Sequence, residues 1–201
     1  MYEIDSSGLI LVARQTQPAL APPAIETAPE GALVAAVLRG DQDAFGRLYA
    51  LYSPMVHGIL LARVPWSEVD DLVQDVFLLA LRRLNTLRDA SAFGGWLAMI
   101  ARNRAMDFYR RRRETEELSE DLTQDRQSAA RSEAEADAAR ALESILELPE
   151  AYRETLILRL VEGMTGPEIA ERTGLTAASV RVNLHRGMKL LREKLGVEAQ
   201  V

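Results

Sequence analysis

Apolar residues along most of this chain recur every three or four positions, the spacing of one face of an α-helix. The first helix begins at Gly31 and ends at Gly40, and Asp41 or Asp43 caps a second one that continues past Pro54 or restarts there. The first carries an apolar stripe of Leu33, Val34, Val37 and Leu38. The second carries Phe45, Leu48, Tyr49 and Tyr52.

Four more helices are predicted before the C-terminal part of the chain. One spans Glu68 to Leu84, and a loop from Asn85 to Ser91 joins it to another from about Ala92 to Arg113. After a polar stretch, two amphipathic segments follow, from Ala138 to Leu148 and from Pro149 to Val161.

The last part of the chain predicts two short helices joined by a glycine turn. Thr165 and Glu168 have the spacing of a capping box, Gly174 is the expected stop, and Thr176 caps the following helix. The apolar residues of that helix, Val180, Leu184, Leu190 and Leu191, can face inward. The pattern is typical of a helix-turn-helix, whose second helix enters a DNA major groove. The alternative is a packed hairpin with a solvated face.

Charge is unevenly distributed and supports nucleic acid as a ligand. The net charge is −6, yet residues 102–113 hold six arginines and one acid, and residues 172–194 hold six basic residues and one acid. Residues 114–137 carry nine acids and two arginines, which predicts a flexible acidic linker. The four prolines within residues 1–30 predict a poorly ordered extension. The composition therefore favours an all-α protein with two small helical domains.

Several other classes of protein are disfavoured. The chain has no cysteine and only His57 and His185, so neither a metal site nor another cofactor is expected. The apolar run Leu9 to Ala13 is too short to insert into a membrane. The carboxylates around Asp70 have no neighbouring nucleophile or base, which argues against an enzyme and favours a protein-docking surface.

The predicted helix that ends in Arg113 combines aromatic and cationic residues. Aromatic faces stack on unpaired bases and arginines follow a phosphate backbone, so this surface suits single-stranded nucleic acid. Trp96 and Phe108 fit a place in the core better, because large aromatic side chains are usually buried.

The order of these elements resembles one protein family along about residues 31–195. The stretches that carry the resemblance are Asp43-Ala-Phe-Gly-Arg-Leu-Tyr49, Asp70-Asp-Leu-Val-Gln-Asp-Val-Phe77, Phe93-Gly-Gly-Trp-Leu-Ala-Met-Ile-Ala-Arg-Asn-Arg-Ala-Met-Asp-Phe-Tyr-Arg-Arg111, Leu148-Pro-Glu-Ala-Tyr-Arg-Glu154 and the helix-turn-helix. They resemble the extracytoplasmic-function (ECF) group of bacterial RNA polymerase sigma factors, in the sigma-70 family.

The resemblance implies a cytoplasmic, non-enzymatic factor that directs core RNA polymerase to promoters. It assigns residues 31–113 to sigma region 2, 114–137 to the linker and 138–196 to sigma region 4. The implied partners are the β′ clamp helices and β flap of the polymerase, promoter DNA and an anti-sigma factor.

The resemblance also implies three sets of site residues. The residues expected to bind core polymerase are Asp70, Asp71, Gln74, Asp75 and Phe77. Those expected at the minus-ten element, as its strand unpairs, are Arg88, Ser91, Asn103, Asp107, Arg110 and Arg111. Those expected at the duplex minus-thirty-five element are Thr176, Ser179, Arg181, Asn183, Arg186 and Lys189.

The recognition helix departs from the family pattern. Family members often carry a Gly-Thr pair entering this helix and a Ser-Arg pair within it, where this chain has Ala178-Ser179 and Val182-Asn183. The minus-thirty-five preference is therefore open. Two other functions also remain: a helix-turn-helix regulator that acts without polymerase, and a polymerase-binding adaptor that does not read DNA.

Overall fold

The computed structural model describes residues 30–116 and 133–196, which form eight α-helices and two 3₁₀ turns with no strand among them. The predicted N-terminal extension and most of the acidic linker lie outside the described residues. None of the described helices is both long and apolar enough to cross a bilayer.

The N-terminal half contains four helices. They are α1 (Glu30–Leu38), α2 (Gln42–Leu61), α3 (Trp66–Arg83) and α4 (Phe93–Glu116). The 3₁₀ turns Leu84–Thr86 and Ala90–Ala92 replace the single predicted loop between α3 and α4. Asp41 is the cap of α2, accepting a 3.0 Å hydrogen bond from the Ala44 amide, and α2 continues through Pro54.

The C-terminal half is a second set of four helices. They are α5 (Glu133–Leu146), α6 (Glu150–Leu160), α7 (Gly166–Thr173) and α8 (Ala177–Leu195). Helix α8 packs on α5, α6 and α7 and, among the described helices, on none of the N-terminal half. The two halves meet where α6 and α7 pack against α2 and α4, and their buried residues form one continuous hydrophobic core.

Three features differ from the sequence-based predictions. Leu38 is exposed, because it is the last residue of α1 and lies about 100° around the helix from Val37. Helix α3 begins at Trp66 instead of Glu68, with Pro65 just before it. Helix α5 begins at Glu133, inside the predicted linker, and α4 extends to Glu116.

The predicted core aromatics have intermediate positions. Trp96 and Phe108 are partly buried and pack against the core, and Phe93, which is 2% exposed, contacts Trp96 at a ring-centroid distance of 5.9 Å. These rings therefore support α4 from its inner side.

Candidate nucleic-acid interface

The helix-turn-helix geometry follows from local hydrogen bonds. Glu168 accepts a 2.8 Å hydrogen bond from the Thr165 amide, and the Thr165 hydroxyl accepts one from the Glu168 amide at 3.4 Å. Hydrogen bonds from the Thr165 amide and hydroxyl lower the pKa of Glu168, so the carboxylate stays charged at the positive end of α7. Gly174 then turns the chain with φ of 74°, a left-handed conformation that disfavours residues with a Cβ. These contacts confirm the predicted capping box and glycine stop.

The exposed side of α8 is basic, while its inner side packs on the other helices. Thr176 caps the helix by accepting a 3.1 Å hydrogen bond from the Ser179 amide. Val180, Gly187 and Leu191 are buried. The predicted contact residues with exposed side chains are Thr176, Ser179, Arg181, Arg186 and Lys189. Asn183 lies at the edge of this surface and is partly buried.

Val182 and His185 are among the exposed α8 residues that lie outside the predicted set. Val182 is 44% exposed, and His185 is exposed one turn further along. Both lie on the same side of α8 as Lys189, at spacings of three and four residues. This spacing is visible in the sequence.

A second exposed surface runs along α4 and the turn before it. Of the predicted minus-ten residues, the exposed ones are Arg88, Ser91, Asn103, Arg110 and Arg111. Asp107 is partly buried and forms a 3.0 Å ion pair with Arg110. Asp89 fixes Ser91 by accepting hydrogen bonds from its amide at 2.9 Å and its hydroxyl at 2.7 Å. These two bonds lower the pKa of Asp89.

Exposed methionines complete the α4 surface. Met99 is 51% exposed and Met106 is 63% exposed, and together with Asn103 and Arg110 they recur at helical spacing on one side of α4. A flexible thioether surface between polar groups is suited to contact with unstacked bases.

Two arginines of the predicted basic patch are instead paired with carboxylates. Arg104 forms a 2.6 Å ion pair with Asp75 of α3, and Arg102 forms a 2.7 Å ion pair with Glu154 of α6. Four more arginines of this patch, Arg110 to Arg113, form the C-terminal end of α4 beyond these two pairs.

The acidic face of α3 is exposed over part of the predicted length. Asp70, Asp71 and Gln74 are exposed, Asp75 is engaged with Arg104, and Phe77 is only 3% exposed. The Phe77 ring packs against Tyr49 at a centroid distance of 4.5 Å, so it supports this face from beneath. Leu78 and Leu81, which sequence reasoning missed, are 51% and 44% exposed, and they continue the Asp71 and Gln74 side of the helix.

Buried pairs of polar side chains join the two halves of the protein. Glu154, whose side chain is 6% exposed, lies 2.6 Å from Arg63 and 2.7 Å from Arg102. Burial alone raises the pKa of Glu154, but hydrogen bonds and positive charge from Arg102 and Arg63 outweigh it and lower the pKa overall. A second pair across the interface joins His57 Nδ1 to Glu162 Oε1 at 2.6 Å.

Hydrogen bonds from arginine side chains to backbone carbonyls, together with one close glycine contact, bring the two halves into tight contact. Arg172 donates a 3.1 Å hydrogen bond to the Leu51 carbonyl, and Arg153 donates one of the same length to the Ala62 carbonyl. A Cβ on Gly94 would lie 2.7 Å from the Arg172 carbonyl oxygen, so this close approach requires a glycine. The turn of the helix-turn-helix therefore rests against the start of α4.

Comparison with known proteins identifies the family of this chain. The family model for Sigma-70 region 2 matches residues 48–115, and that for Sigma-70, region 4 matches residues 138–191. The RNA polymerase sigma factor CarQ of Myxococcus xanthus is 34% identical over 160 residues, covering 78% of this chain and 92% of that protein. The ECF RNA polymerase sigma-E factor of Haemophilus influenzae is 30% identical over 183 residues, covering 85% and 97%.

A solved structure extends the likeness to the arrangement of the helices. The structure of CnrH in complex with the cytosolic domain of CnrY matches with a TM-score of 0.59 and 27% identity, covering 85% of this chain and 99% of that chain. The all-helical, two-part architecture predicted from the sequence is thereby confirmed. The chain belongs to the ECF group of sigma-70 factors, and it is a sigma factor that binds RNA polymerase and promoter DNA to direct transcription initiation.

Proposed function

We propose that this sigma factor divides its work among three surfaces. The side of α3 that contains Asp71, Gln74, Leu78 and Leu81 docks on core polymerase, α4 with the preceding turn holds the unpaired minus-ten strand, and α8 reads the minus-thirty-five duplex. The observation that carries the proposal is the exposed basic side of α8, which projects from the helix-turn-helix and packs against nothing in the described part of the chain. A second, separate cationic surface on α4 supports it.

The packing of the two halves sets a condition on this function. The minus-ten and minus-thirty-five elements are named for their positions along the DNA, so their centres are about 25 base pairs apart. At 3.4 Å per base pair this distance is roughly 85 Å. Gly95 in α4 and Gly174 after α7 are so close that a Cβ on Gly95 would lie 3.5 Å from Gly174 Cα. The two halves are therefore in direct contact in this structure. We infer that the halves separate when the protein joins core polymerase and promoter DNA. The segment 117–132 can span up to about 60 Å if fully extended, so the dimensions of the two halves must cover the remaining distance of about 25 Å.

We also propose that an anti-sigma factor controls this protein in the cytoplasm. CnrH is structurally similar to this chain over 85% of its length and is seen in complex with the cytosolic domain of a second protein, CnrY. A partner of this kind would cover the α3 and α4 surfaces, or hold the two halves together. The role is non-enzymatic, since the matched relatives are sigma factors.

The assignment of α4 and α8 is testable in reconstituted holoenzyme. We expect Arg186→Ala to weaken binding to a duplex minus-thirty-five element by about 1–3 kcal/mol if this arginine bonds a base edge in bidentate fashion. We expect Asn103→Ala to weaken binding to a fork template with an unpaired minus-ten strand, and to leave binding to the duplex element unchanged. Both residues are exposed and outside the core, so their replacement is not expected to unfold the protein.

The opposite outcomes separate the remaining alternatives. A stand-alone regulator would bind a duplex site tightly without core polymerase and would not respond to changes on α3. An adaptor would bind core polymerase, and Arg186→Ala would leave the choice of promoter unchanged. Either result contradicts the proposed division of labour.

A further inference from the structure

The exposed side of α8 has two apolar residues at the start of its central line and basic residues on both sides. Its central line contains Ala178, Val182, His185 and Lys189, at successive spacings of four, three and four residues, and all four are exposed. Because successive residues lie about 100° apart around a helix, Arg181 lies on one side of this line and Arg186 on the other. Val182 is therefore in the middle of a positively charged surface.

The exposure of Val182 is unusual for this part of the protein. Leu184, Met188 and Leu190 of the same helix all pack against the core. Every other large hydrophobic side chain that is exposed in the described residues lies at or before Tyr109, in the N-terminal half. Valine also favours a helix less than alanine does, because its branched side chain loses rotamer freedom there. Neither packing nor helix propensity accounts for a valine at this position.

The chemistry of a DNA major groove provides a role. Recognition helices contact base edges with the residues of their first turns, and Val182 is in the second turn of α8, which begins at Ala177. A valine side chain can neither donate nor accept a hydrogen bond, so it cannot recognise the polar groups of a base edge. The apolar group that the major groove offers is the C5-methyl of thymine.

We propose that Val182 is a specificity-determining residue that selects a thymine in the minus-thirty-five element by contact with its C5-methyl group. Arg181 and Arg186 orient the helix through phosphates or guanine on either side. Ala178, one turn earlier, leaves room for the neighbouring base pair. Asn183 is about 100° further around α8 and partly buried, so its amide is less well directed toward the groove than the Val182 methyl groups. The inference rests on the proposed role of α8.

The test uses holoenzyme with a duplex library that is randomised across the upstream element. Wild type and Val182→Ala are each taken through binding selection, and the enriched sequences are compared. We expect one thymine in the wild-type motif that Val182→Ala no longer enriches. Val182→Thr, which keeps one methyl group of the branched side chain, should retain part of the preference. Position 182 is exposed, so these substitutions are not expected to disturb folding.

A methyl deletion in the DNA then isolates the contact. Replacing that thymine with deoxyuridine removes only the C5-methyl, and wild-type affinity should fall about fourfold, the factor that burial of one methyl-sized group supplies. The same DNA change should leave Val182→Ala binding unaltered. Replacing another thymine of the motif with deoxyuridine is the control, and it should affect both proteins equally.

Three results would overturn the inference. The motif could lack a thymine that depends on residue 182, deoxyuridine could be bound as well as thymine, or wild type and Val182→Ala could lose the same affinity on methyl deletion. Failure of the wild-type holoenzyme to enrich any upstream motif is a different result, because it would overturn the proposed role of α8 itself.

Discussion

Loss of the Glu154 carboxylate should open the two halves of this sigma factor. Its side chain is 6% exposed and lies 2.6 Å from Arg63 and 2.7 Å from Arg102, so one carboxylate of α6 pairs with two arginines of the N-terminal half. Replacing it with alanine leaves both arginines facing an interface without their buried partner. Removal of one member of a buried ion pair generally costs about 3–5 kcal/mol, because the remaining charge is uncompensated.

The structure puts the expected cost near the lower end of that range. The Arg102 side chain is 28% exposed, and Arg63 keeps a second carboxylate, that of Glu150, at 2.9 Å. We therefore expect about 3 kcal/mol, which reduces the ratio of closed to open molecules roughly a hundredfold. The protein should open instead of unfolding, since separation of the halves returns both arginines to water while the helices within each half still pack on one another.

The absence of cysteine makes the opening measurable by fluorescence energy transfer. Cysteines introduced at the exposed positions Gln42 and Glu193 place one dye on each half. We expect one short distance in the otherwise unchanged protein and a broad distribution of longer distances when Glu154→Ala is added. The matched control is Glu150→Ala, which removes a 66% exposed carboxylate from the same cluster.

The Glu150→Ala control defines which result would contradict the role of Glu154. Exposed ion pairs contribute about 0–1 kcal/mol, so Glu150→Ala should shift the closed population by less than about fivefold. If Glu154→Ala keeps the single short distance, or if both variants open the protein equally, the buried charge cluster does not hold the halves together.

Three further predictions concern the same interface and the docking surface. Gly94→Ala should also lengthen the dye distance, because its Cβ would meet the backbone of α7, whereas Gly46→Ala, with nothing within 4 Å, should not. The folded-state pKa of Glu154 is lowered, so the carboxylate contributes fully to closure when the pH is above the ordinary pKa of 4.5. This contribution is lost as the pH falls below that value. A pH titration of the dye distance should therefore show opening only on the acid side. Asp71→Arg should weaken binding to core polymerase in a competition titration, while Glu143→Arg, an equal charge change on the exposed side of α5, should not.

Local structure was the part of this fold most accessible from the sequence. The capping residues Asp41, Thr165 and Thr176 and the stop at Gly174 act through hydrogen bonds or backbone angles within a few residues, so their spacing identifies them. The acidic charge of residues 133–137 predicts a linker, but their alanines and glutamates also favour a helix, and α5 begins there.

The contacts between the halves could not be predicted in this way. Glu154 meets Arg102 across 52 residues and Glu162 meets His57 across 105, and no local rule pairs residues at such separations. One signal was present, since Glu154 lies one turn before Leu158 in the apolar run of α6, where an acid requires a partner. The sequence thus indicated a buried charge without identifying the arginines that neutralise it.

The central claim is tested most directly by mapping transcript starts. Run-off transcription with core polymerase, with and without this protein, is performed on fragments of its source genome, and the 5′ ends are sequenced. The account predicts new starts that share a two-part upstream motif, and it predicts that Arg186→Ala relaxes only the upstream part of that motif. Unchanged starts despite binding to core polymerase, or new starts with no shared upstream element, would contradict it.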